Sequence, residues 1–64
     1  MPYTPEQCTL DASILVYASR VNGDDGFRKE YNRLIFDRNL SLADAETLLL
    51  SATEQLNQLI QSGA

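Results

Sequence analysis

A continuous apolar stripe in the C-terminal third of the chain is the feature that most constrains its fold. Ser41 is a suitable N-cap, Asp44 completes a capping box three residues later, and Ser62-Gly63 provides a stop signal. Between these signals the apolar residues recur at helical spacing, at Leu42, Ala45, Leu49, Ala52, Leu56, Leu59 and Ile60. The pattern predicts a helix over about residues 42–61.

A second helix is predicted at the start of the chain, over about residues 5–21. Thr4 suits the N-cap, Pro5 suits the first helical position, and Gln7 closes a capping box. Asn22-Gly23 supplies the stop, because glycine adopts positive φ without strain. The apolar positions that we expect to form its core face are Leu10, Ile14, Tyr17, Ala18 and Val21.

A third helix is predicted between the other two, over about residues 26–38. Asp24 and Asp25 favour a helix N-terminus, and Arg38-Asn39 suits a C-terminus. Its apolar residues, at helical spacing, are Phe27, Tyr31, Leu34 and Ile35.

These three segments predict an all-α fold, a compact three-helix bundle in one domain over residues 1–64. An alternative is a ββα arrangement, in which residues 13–21 and 27–38 pair as a hairpin beneath the C-terminal helix. Residues 13–21 are rich in β-branched and aromatic side chains, and Asn22-Gly23 is also a hairpin signal. The second segment alternates poorly as a strand, so we favour the helices.

Length and composition exclude most catalytic chemistry. A core built from 64 residues is small, and a single cysteine cannot form an internal disulfide. The chain has no histidine, which removes the commonest general base and metal ligand. We therefore predict no catalytic, cofactor-binding or metal-binding residues. The net charge of -4 argues against direct nucleic-acid binding.

The sequence shows no targeting or membrane signal. The longest apolar stretch, Ile14–Ala18, is far shorter than the ~20 residues that a membrane span needs. The first residues lack the basic and apolar regions of a signal peptide. We expect a cytoplasmic protein of a bacterium or of one of its mobile elements.

Large apolar residues fall outside the predicted core faces and suggest interfaces. At ~100° per residue, Leu15 and Val16 point away from Ile14, and Phe36 points away from Tyr31. Contiguous apolar patches usually mark interfaces. A homodimer would also relieve the problem of a small core. We expect Leu15, Val16 and Phe36 to serve self-association.

The C-terminal helix is the candidate surface for another protein. Asp44, Glu46 and Glu54 lie on it without any basic residue, and Leu50 falls about 100° from Leu49. An acidic, partly apolar surface complements a partner with a basic surface. We expect Glu46, Leu50 and Glu54 to bind that partner.

Short segments resemble small proteins that act by binding other proteins. Leu40–Glu46 resembles a helix start in the dimeric phage inhibitors of uracil-DNA glycosylase, which are acidic and have the ββα arrangement. Thr53–Ile60 is similar to the signature of helical-hairpin phosphatases that act on sporulation response regulators, with Thr53 and Asn57 at their serine and aspartate positions. The helix order is similar to that of Hha-like nucleoid modulators.

The sequence thus predicts a small acidic interaction module, without catalysis, that regulates or inhibits a larger protein. One alternative is a phage-type, DNA-mimicking inhibitor of a DNA-acting enzyme such as uracil-DNA glycosylase. Another is a structural subunit whose function is self-assembly.

Overall fold

The computed structural model describes residues 2–62 and shows an all-α chain. Helix α1 spans Pro5–Arg38 and helix α2 spans Leu42–Ser62. No residue in the described range lies in a strand, so the ββα alternative is wrong for that range. Neither helix is long and apolar enough to cross a membrane. The predicted stop at Gly63 lies outside the described residues.

Helix α1 folds back on itself at Gly23. This residue has φ 68° and ψ -157°, which is far from helical geometry. In a straight helix Asp11 and Arg38 would lie about 40 Å apart, since each residue adds ~1.5 Å. Their side chains are instead joined at 3.2 Å. We therefore call residues 5–22 the first arm of α1 and residues 24–38 its second arm.

The prediction of three separate helices is not confirmed, because the structure has two. Residues 22–25, predicted to lie between helices, belong to α1, which is interrupted by the non-helical φ and ψ of Gly23. One glycine with positive φ reverses the chain, so no loop is needed.

The helix ends follow the capping signals in the sequence. The Thr4 hydroxyl accepts a hydrogen bond from the Gln7 backbone N–H at 3.1 Å. Asn39 takes the left-handed conformation at the end of α1. The Ser41 hydroxyl accepts from the Asp44 backbone N–H at 3.2 Å. These three predictions of helix ends are confirmed.

Helix α2 packs against both arms and runs in the same direction as the first arm. Near its middle, the Ser13 hydroxyl donates to Gln55 Oε1 at 3.2 Å. The Tyr31 hydroxyl of the second arm donates to the Ala45 carbonyl at 3.1 Å. Between the three helical segments lies a small core, formed by Cys8, Ala12, Leu15, Leu34, Leu48 and Ala52.

Candidate functional site

Glu46, Leu50 and Glu54 form an exposed row along α2, which we call the α2 row. They follow one another at intervals of four residues, which places them on one side of a helix. Leu48, on the opposite side, is fully buried in the core, and Leu50 is 70% exposed. The structure therefore brings the three predicted partner-binding residues together on one accessible surface.

Further apolar side chains extend this surface. Leu42 lies four residues before Glu46 and is also exposed, so leucine and glutamate alternate along the side of the helix. Ile60 and Leu49 add exposed apolar area on α2. The result is a surface that offers both carboxylates and apolar contacts.

The acidic charge of the α2 row is not neutralised within the described chain. Among residues 2–62, no cation forms an ion pair with Glu46 or Glu54. Most cations of the second arm pair with carboxylates of the same arm, with N–O distances of 2.8 Å for Arg28–Asp25 and 2.6 Å for Arg33–Glu30, and Arg38 pairs with Asp11 of the first arm.

Two of the three residues expected to serve self-association lie inside the molecule. Leu15 is fully buried and Val16 is nearly so, and their expected position outside the core is wrong. The first arm is rotated so that Ala12 and Leu15 face the other helical segments. Phe36 is 85% exposed on the second arm, and its role in self-association stays a prediction.

The expected core face of the first arm is largely on the surface. Leu10, Ile14, Tyr17 and Val21 are between 38% and 70% exposed, and we call them the first-arm stripe. These four residues line one side of an open groove between the two arms of α1. Lys29, in the second arm, lines the other side of the groove. Sequence periodicity missed this because the first arm carries apolar residues on both faces.

A buried carboxylate fixes the rotation of the first arm. Asp11 is fully buried and accepts hydrogen bonds from the Tyr3 hydroxyl at 2.7 Å and from Gln7 Nε2 at 2.9 Å. Arg38, at the end of the second arm, donates to both oxygens of Asp11 at 3.2 and 3.3 Å. Since Leu10 is next to Asp11, burying the carboxylate carries Leu10 outward. The clue in the sequence was the acidic residue inside an apolar helix.

The titration behaviour of these groups follows from their contacts. Burial alone would raise the pKa of Asp11, but hydrogen bonds from Arg38, Tyr3 and Gln7 outweigh it and hold that pKa below the ordinary value of 3.8. Burial and the hydrogen bond to Asp11 raise the pKa of the Tyr3 hydroxyl. Asp11 is therefore ionised at neutral pH and serves as a structural anchor between the two arms.

The remaining reactive groups do not assemble into a chemical site. Cys8 is buried in the core, in the same cluster as Ala12 and Leu48. Within residues 2–62, no three histidine, cysteine or acidic side chains cluster as metal ligands would. What the described chain offers is surface: the α2 row and the first-arm stripe.

Comparison of the chain with protein-family models, with curated proteins and with solved structures finds no match.

Proposed function

We propose that this chain is a small acidic interaction module that regulates or inhibits a larger protein without catalysis of its own. The partner has a basic, partly apolar surface and binds the α2 row. The observation that carries the proposal is the position of Leu50, a 70% exposed leucine between two unpaired carboxylates of the described chain.

The two kinds of side chain in the row have different roles in binding. Burying Leu50 in a partner's pocket contributes affinity, because a large exposed side chain is removed from water. Glu46 and Glu54 lie at the rim, where charge increases the association rate and selects against acidic partners. Together these side chains can bind one partner specifically, and no catalytic group is needed for that role.

We further propose that the working form is a homodimer in which each chain acts as a bundle of three helical segments, the two arms of α1 and α2. The small core supports this, since only nine apolar side chains of the described range are buried and six of those belong to α1. Association adds buried surface that a chain of this size lacks.

The partner-binding role is tested by affinity capture from cells of the source organism, with Leu50→Asp compared with the unaltered chain. We expect the specifically captured protein to disappear with Leu50→Asp while circular dichroism shows unchanged helicity, since Leu50 is 70% exposed. Phe36→Asp is the matched control, because it adds the same charge at another exposed apolar position. Equal capture by both variants and the unaltered chain would contradict the proposal.

The electrostatic part of the proposal has its own variant. Glu46→Gln with Glu54→Gln should slow association with the captured protein and weaken its dependence on salt. Glu6→Gln removes a carboxylate elsewhere on the exposed surface and should leave the salt dependence nearly unchanged. If the double variant and Glu6→Gln showed the same salt dependence of association, charge at the α2 row would have no special role.

A further inference from the structure

The first-arm stripe is an apolar surface that no described part of the chain covers. Leu10, Ile14 and Tyr17 line one stretch of the groove between the arms, and Val21 continues the next stretch with Ile14 and Tyr17. We infer that a second copy of this chain covers the stripe, with the two first arms antiparallel about a two-fold axis. The inference rests on the proposed homodimer and gives the location of its interface.

The spacing of the stripe is self-complementary. The four residues are separated by four, three and four positions, and this series reads the same in both directions. A two-fold axis between Ile14 and Tyr17 therefore places Leu10 beside Val21 of the partner subunit and Ile14 beside Tyr17 of the partner subunit. Such isologous contacts are the usual basis of homodimers.

The charges around the stripe also favour a second copy over a strongly charged partner. The stripe itself carries no charge. The charged residues on the far side of the groove are already paired within the chain, Lys29 with Asp25 at 3.6 Å, Glu30 with Arg33 at 2.6 Å and Arg38 with Asp11 at 3.2 Å. Two such neutral surfaces meet without repulsion, although each chain has a net charge of -4.

The size of the molecule limits the area that the dimer can bury. The two longer dimensions of the chain are 39 and 22 Å. Since each partner contributes ~800 Å² to a standard interface, the dimer must bury side chains around the stripe as well as the stripe itself. The α2 row lies on a different helix and remains available to another protein.

Cysteine cross-linking tests the antiparallel arrangement. In a Cys8→Ser background, Leu10→Cys and Val21→Cys chains are mixed and oxidised. The axis places these positions at the same level, whereas two copies of Leu10→Cys would be about 16 Å apart along the helices, beyond the ~7 Å that a disulfide spans. We expect mixed disulfides to exceed those within either single variant by about tenfold. Cross-linking that is equal, or stronger within one variant, would overturn the inference.

Sedimentation equilibrium distinguishes failure of the inference from failure of the proposed dimer. Tyr17→Asp should weaken dimerisation by about tenfold or more, as loss of a central aromatic contact does, with helicity unchanged because Tyr17 is exposed. Leu42→Asp is the matched control, because it adds the same charge at an exposed apolar position on α2, and it should dimerise as the unaltered chain does. A dimer that survives Tyr17→Asp would overturn the inference and leave the proposed dimer intact. An unaltered chain that stays monomeric, or that grows beyond a dimer, would overturn both.

Discussion

Asp11 shows how a single residue sets which surface of a helix is buried. It is fully enclosed, and its partners Tyr3, Gln7 and Arg38 come from the N-terminus, the first arm and the second arm. A buried charge is tolerated only when it is paired and hydrogen-bonded. Arg38 lies 27 residues from Asp11, so a local reading of the sequence could not reveal the pair.

Replacing Asp11 with asparagine should remove much of the acid sensitivity of the fold. The pKa of Asp11 is lower in the folded chain than its ordinary value of 3.8. The carboxylate therefore contributes stability in full above that value and loses it as the pH falls through the folded pKa. We expect Asp11→Asn to lower the free energy of unfolding by about 1–3 kcal/mol at pH 7 and to converge with the unaltered chain at strongly acid pH.

Urea denaturation followed by circular dichroism at pH 7 and at pH 3 measures both effects. Glu30, whose pKa is lowered by its hydrogen bond to Arg33, leaves a small acid dependence in the variant. Stability that differs between the two proteins by the same amount at both pH values would contradict the prediction.

At the scale of the elements, helix positions were predictable from local chemistry and helix rotation was not. The caps at Thr4 and Ser41 and the left-handed Asn39 depend on neighbouring residues, and all three are confirmed. The first arm has apolar side chains on both faces. Periodicity therefore could not show whether the face with Leu15 or the face with Tyr17 is buried in the core. The α2 row was predictable because its glutamates mark the outer side.

Two glycines near the reversal of α1 should respond to alanine for different reasons. Gly23 has open space where a methyl group would lie, but its φ of 68° strains any other residue. At Gly26 the added Cβ would lie 2.7 Å from the Ala18 carbonyl oxygen, which belongs to the backbone of the first arm and cannot move aside. We expect each substitution to lower the free energy of unfolding by about 1–3 kcal/mol.

The two variants are distinguished by how the arms respond. Gly26→Ala should separate the arms near Ala18, which hydrogen exchange would detect as faster exchange on both sides of the turn. Gly23→Ala should favour a straighter α1 and so promote exchange of the first arm between two chains, detected as a dimer that dissociates slowly. Two variants as stable as the unaltered chain would show that neither glycine is required.

At the scale of the whole molecule, thermal stability should depend on protein concentration. Because only folded chains form the homodimer, a higher protein concentration stabilises the folded state by mass action. In a domain of this size, 1 kcal/mol of additional stability raises Tm by about 4–8 °C. We expect the Tm of the unaltered chain to rise by several degrees across a hundredfold increase in concentration. Tyr17→Asp should lose most of this rise, and a concentration-independent Tm of the unaltered chain would contradict the prediction.

The reversal at Gly23 also bears on how fast the chain reaches its native state. Because α1 turns back at one residue, no long loop has to close before the arms meet, and Tyr31 reaches Ala45 across only 14 positions. Short closures have a low entropic cost, and helical proteins dominated by nearby contacts fold in microseconds to milliseconds. A temperature-jump experiment should find relaxation on that timescale. Folding this fast leaves little time for apolar surfaces such as the first-arm stripe to associate with other unfolded chains.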